Sequence, residues 1–246
     1  MTRLPDHVSL LERGLRSIFA DRLESLVVYG VRAAASSVGH DTGHTTSAAP
    51  RTSTLAIVTA LRENDLRACA DRVGAWRAAG LATPLLLAAG EFEQSLDAFP
   101  LEFGAIIADY AVVAGKDPFE GLVIAGADIR RACEVQVRSH LLHLREGVLE
   151  TEGNGNALAV LIVRSAAPFA ALLTSVARLQ GLDTLDPAAA ARHAERQLQV
   201  PPGAVSDVVN LAHIAEISAA EATRIFPAYL DAVERLAHFV DSWETA

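Results

Sequence analysis

The sequence predicts an α+β protein, with an α/β part over residues 1–125 and an α-helical bundle over residues 126–246. Three observations lead there. Short apolar segments rich in β-formers alternate with amphipathic ones as far as Ile107. A cluster of turn residues, GKDPFEG at 115–121, then ends the alternation. From Ala127 onward the chain reads as helices separated by breaks at 153–156, 181–187 and 201–203.

The elements follow in order. Residues 7–20 carry Val8, Leu11, Leu15 and Ile18 at three- and four-residue spacing, which predicts an amphipathic helix. A short strand, LVVY at 26–29, ends at Gly30. Residues 33–53 hold only small, polar and turn-forming side chains without periodicity and are expected to form a long mobile loop. A second strand over 55–60 precedes a helix over 63–79 that Gly80 ends, and a third strand is expected at 84–87. EFEQSLDAF is expected to be a helical turn, and residues 101–107 a strand that includes Glu102. The bundle helices are expected at 127–150, 157–180, 188–199, 204–214 and 218–243, with a domain boundary near 115–127.

Composition narrows the function classes. Hydrophobic residues make up 51% and charged residues 21%, and no uncharged apolar run reaches the ~20 residues of a membrane span, so no membrane partner is expected. MTRLPDH shows no basic region followed by an apolar core, which makes a cytoplasmic location the expectation. A net charge of -9 argues against a broad nucleic-acid-binding face. Cys69 and Cys133 lack metal-ligand spacing and are read as buried packing residues.

A helix, a strand ending LVVYG, then Arg32-Ala33 and a second strand together resemble the start of the nucleotidyltransferase superfamily, the polymerase-β-like fold. PLLLAAGEFEQSLDAFPLEFGAII and VVAGKDPFEGL are similar to later parts of that domain in bacterial members. The resemblance covers residues 7–125, and the helical remainder is similar to the bundle that often follows such domains. It implies a mixed sheet, a Gly-Ser turn that cradles a nucleoside triphosphate, and an Asp-x-Asp pair that holds two divalent metals for nucleotidyl transfer.

The sequence departs from this pattern at each point. Gly30 and Arg32 remain as expected nucleotide contacts, but Val31 stands at the serine position. The Asp-x-Asp positions fall on Thr54 and Ala56, which are expected to share one face of the second strand and to line the cleft beside Gly30. A hydroxyl and a methyl group cannot replace two carboxylates around Mg²⁺. Glu102 falls near the family's third carboxylate and is read either as a remnant of it or as a solvent-facing glutamate. The expectation is therefore a degenerate member, a pseudoenzyme without cofactor that serves as a nucleotide- or protein-binding module. The alternative is an active transferase using Mg²⁺ with a nucleoside triphosphate to pass a nucleoside monophosphate to a small molecule or protein. Ala-rich helices suggest a third reading, a homo-oligomerising structural unit.

Other constellations are weaker. His40, Asp41 and His44 could hold a metal only in an ordered loop. RSHLLHLR, with Arg138, His140, His143 and Arg145, reads as a half-buried helix with solvated charges or as a phosphate contact. Asp207, His213 and Glu216 form no acid/base arrangement by spacing, and 153–156 lacks the strand-before, helix-after context of a nucleotide loop.

Overall fold

The computed structural model describes residues 6–30, 51–182 and 184–242. The chain divides into two compact units, with the change between Ile124 and Ala125.

The first unit runs α1 (Asp6–Phe19), β1 (Leu23–Tyr29), β2 (Ser53–Val58), α2 (Glu63–Ala78), β3 (Leu85–Ala88), α3 (Ala89–Ala98), α4 (Pro100–Ala108) and β4 (Tyr110–Gly115). Its strands form a four-stranded sheet in the order β3-β2-β1-β4. The sheet is mixed: β1 pairs antiparallel with β2 and β4, and β2 pairs parallel with β3. Alternate strand residues point to opposite faces, so each face has its own core. On one face Leu26, Ala56 and Val58 meet Val8, Leu11, Leu15 and Phe19 of α1, together with Cys69 and Trp76 of α2. On the other, Val27, Leu55 and Ile57 meet Phe92, Phe103, Ile106 and Phe119.

One expected strand is a helix. Residues 101–107 belong to α4, where Pro100 occupies the first turn and Phe103 and Ile106, three residues apart, are buried. Proline's fixed φ favours a helix start, and the i, i+3 pair then faces the sheet. The strand of this region is β4, whose half-exposed edge position gave it no clean alternation in sequence. At its end Gly115 has φ +79°, and a Cβ there would lie 1.9 Å from the Glu24 carbonyl oxygen, so this corner requires glycine.

An ionic clamp closes the same end of the central strands. The Arg22 guanidinium donates to both carboxylate oxygens of Asp65 at 2.7 Å and to the Ala60 carbonyl at 3.0 Å. Asp65 also accepts the Arg62 backbone N–H at 3.0 Å, which caps α2. Arg22 lies over the Phe19 ring, 5.3 Å from its centroid.

The second unit is helical: α5 (Gly126–Glu150), α6 (Gly155–Leu179), α7 (Pro187–Leu198), α8 (Ser206–Val209) and α9 (Ala219–Ser242). The helix expected at 204–214 is two pieces, α8 and a 3-10 turn over Asn210–His213. Just before them the buried Glu195 carboxylate accepts the N–H groups of Gly203, Val205 and Ser206 and the Ser206 hydroxyl. Four bonds to one anion give this turn a fixed shape of its own. α6 is long and apolar enough to cross a membrane by length and composition. It is also the helix against which α5, α7, α8 and α9 all pack, and its apolar side chains, including Ile162, Phe169 and Leu173, form the bundle core.

The clamp makes a prediction about acid. Hydrogen bonds from Arg22 hold the Asp65 carboxyl down at about 2, below the roughly 4 of an unfolded aspartate. The unfolded state therefore binds this proton first, and the stability that Asp65 contributes is complete above about pH 4 and lost as pH falls toward 2. Urea midpoints measured across that window should fall for the wild type. Asp65→Asn should have a lower midpoint at neutral pH and a shallower decline in acid, and an identical acid slope in the two proteins would contradict the assignment.

Candidate functional site

The antiparallel pairing of β1 with β2 brings the end of one beside the start of the other: Tyr29 faces Ser53, Val28 faces Thr54 and Leu26 faces Ala56. On the opposite side of β1, Tyr29 faces Tyr110 of β4. Three strands thus meet at one end of the sheet. There Gly30, with φ +71° and none of the described residues where a Cβ would stand, turns the chain out of β1, a conformation that glycine adopts without strain. Its N–H donates to the Asp109 carbonyl at 2.9 Å. Thr52, just before β2, is tied to the strand ends by its N–H to the Gly80 carbonyl at 3.0 Å, and its hydroxyl lies 2.9 Å from His7 Nε2 of α1. Burial pushes the Tyr29 phenol above its usual range, and a hydrogen bond with Ser53 opposes that shift.

Gly30 is therefore at the end of β1, while Val31, Arg32 and the loop over 33–50, with His40, Asp41 and His44, lie outside the described residues. Thr54 and Ala56 share a face, as alternate strand residues do. That face does not open onto a cleft: Thr54 is 1% exposed and Ala56 0%, and Ala56 sits in the apolar core beneath α1 and α2. The correction has a simple cause, because the face that carries Leu26 and Val58 also carries these two residues.

Glu102 lies on a helix where a strand was expected, and of its two readings the solvent-facing one holds. It lies in the first turn of α4 and is exposed, and α4 packs Phe103 and Ile106 against the face of Val27, Leu55 and Ile57. The sheet itself therefore separates its helix from Thr54 and Ala56. The acid that the strand ends do bring beside Gly30 is Asp109, 6% exposed, between α4 and β4. Sequence reasoning missed it because 101–107 was read as the strand; an acid between a helix and YAVVAG was the available signal.

Among the described residues the donor set does not fit a pair of divalent metals. Thr54 and Ala56 offer a hydroxyl and a methyl group, and among the described residues no three His, Cys, Asp or Glu side chains are grouped to hold a metal. The Thr54 hydroxyl is itself buried without a hydrogen-bond partner among the described residues.

The other candidates among the described residues engage neighbouring side chains. His140 stacks on Phe169 with ring centroids 5.2 Å apart and lies 2.6 Å from the Tyr229 hydroxyl; burial pushes it down to about 4. Arg138 and Arg145 pair with Asp241 and Glu234 of α9, and His143 lies 3.5 Å from Glu146. Asp207 faces Arg224 at 3.4 Å.

Two substitutions test the closed face. Thr54→Val should raise stability by about 1 kcal/mol, because it removes a buried hydroxyl that has no partner among the described residues. Ala56→Asp should cost several kcal/mol, since it places an unpaired carboxylate in an apolar core. Denaturant melts of both variants decide the matter: a destabilised Thr54→Val would mean that the hydroxyl has a partner, and a neutral Ala56→Asp that the face is open.

No family model matches the sequence, and no curated protein matches it. Solved structures do match. One is spectinomycin adenyltransferase AAD(9) from Enterococcus faecialis, crystallised with ATP and spectinomycin, at a TM-score of 0.55 and 12% sequence identity, covering 94% of this chain and 98% of that one. Similarity over nearly the whole of both chains at so low an identity is a statement about architecture. With its mixed sheet, its closing strand β4 and the helices that follow, this chain has the nucleotidyltransferase-like fold.

Proposed function

We propose that the chain is a nucleotidyltransferase-fold protein without metal-dependent transfer chemistry, which uses the scaffold as a binding module for a nucleotide or a protein partner. The observation that carries this reading is the closure of the β2 face, where Thr54 and Ala56 are buried and Ala56 packs against α1. A transferase of this fold needs carboxylates presented to a metal-bound triphosphate. On the reading that Thr54 and Ala56 stand where those carboxylates would, the strand supplies no anion there, and both residues are buried. The AAD(9) structure contains ATP, which makes nucleoside triphosphates the first ligands to try at the end of β1 around Gly30.

One observation favours the second reading, an active transferase that moves a nucleoside monophosphate from a triphosphate to a small molecule or protein. Asp109 is a buried acid whose backbone carbonyl accepts the Gly30 N–H, which puts an acidic residue next to the turn out of β1. The readings separate by calorimetry with ATP, GTP, CTP and UTP, each with and without Mg²⁺, followed by an assay for pyrophosphate release. The binding-module reading expects nucleotide heats that Mg²⁺ leaves unchanged, or none if the partner is a protein, and no pyrophosphate in either case. Mg²⁺-dependent pyrophosphate release that Asp109→Asn abolishes would replace it with the transferase.

A further inference from the structure

The outer face of α5 carries a line of exposed apolar side chains. Val135, Leu142 and Leu149 are 64%, 63% and 79% exposed. Seven residues are two helical turns, so the three fall on one seam. The inward face of the same helix is already occupied by Cys133, Val137 and Leu144, all buried. An exposed leucine needs no explanation by itself, but three large apolar residues at heptad spacing form a stripe.

The charges beside the stripe say what fits it. Arg131 and Arg138 flank its N-terminal part, Glu146 and Glu150 its C-terminal part, and all four are exposed. Arg138 also pairs with Asp241, and Arg131 lies 4.0 Å from Asp128. A second copy laid antiparallel, with a two-fold axis through Leu142, sets Leu142 against its own counterpart and Val135 against Leu149. The same axis sets Arg138 against Glu146 and brings Arg131 within a turn of Glu150, which lies opposite Glu134, itself 4.0 Å from Arg130. A parallel pairing in register would instead set Arg138 against Arg138 and Glu146 against Glu146. The stripe is thus self-complementary in one orientation, as an isologous two-fold interface must be.

We infer that the Val135–Leu142–Leu149 face of α5 is a self-association surface, on which two copies of this chain meet antiparallel about Leu142. A single seam of three rungs belongs at the low end of interface sizes, about 1,200 Å² or less, so the dimer is weak and depends on concentration.

Sedimentation equilibrium from about 10 μM to about 1 mM should show a monomer–dimer equilibrium, and Leu142→Glu should stay monomeric with an unchanged melting temperature. Cysteine scanning reads the register, because native Cys69 and Cys133 are buried and do not compete. Under copper-phenanthroline oxidation Leu142→Cys should cross-link to itself. Val135→Cys alone should not, since its two copies would lie roughly 21 Å apart along the helix axis, beyond disulfide reach. A mixture of Val135→Cys and Leu149→Cys chains should cross-link. A wild type that stays monomeric throughout overturns the inference and leaves the stripe to a different protein. Cross-linking of Val135→Cys alone as fast as Leu142→Cys overturns it as well.

Discussion

The Arg22–Asp65 clamp is the constraint on which the first unit depends. Arg22 ends the turn between α1 and β1, and from there it reaches the Ala60 carbonyl just past β2 and the carboxylate that caps α2. The Thr59 N–H returns to the Arg22 carbonyl at 2.9 Å, so the start of β1 and the end of β2 are fixed to one another. In an antiparallel pair a slip of one residue exchanges the faces of every side chain. The clamp therefore acts at a distance. By holding the register at one end of the central hairpin, it determines that Thr54 and Ala56 lie under the helices and that Gly30 emerges between Thr52 and Asp109 at the other end.

Much of this architecture was legible in the sequence because it is written as periodicity. α1 showed the spacing of a helix with one buried stripe, and Val8, Leu11 and Leu15 are indeed its inward residues. LVVY and the apolar run after Thr54 showed central strands, which are apolar on both sides because each face of the sheet has a core. α5, α6 and α9 were visible from their length and from the breaks between them. The misreading at 101–107 has the same origin: Leu101, Phe103, Ile106 and Ile107 satisfy a short strand as well as a short helix, and only Pro100 distinguishes the two. β4, a half-exposed edge, carried too little pattern to be found.

The site was less legible than the fold because sites are made by juxtaposition, which has no period. Gly30 could be singled out from a local signal, a glycine ending an apolar strand. Asp109 could not, because its interest lies in the Gly30 N–H that reaches its carbonyl across 78 intervening positions of the sequence. The same limit explains Glu102. Its place in the chain suggested a carboxylate near the strand ends, while the helix that carries it lies against the opposite face of the sheet. Whether Thr54 and Ala56 lined a cleft was also beyond the sequence, since a strand pattern shows that two residues share a face but does not say which face is covered.

The burial of Ala56 beneath α1 limits what one substitution can do at this position. An acid introduced there would enter a closed apolar core at once, and any benefit from a cation would come only after α1 had moved away. Strand and helix are therefore coupled: a charged group could be accommodated on this face only by changing α1 and β2 together, so the two elements can be altered as a pair but not one at a time.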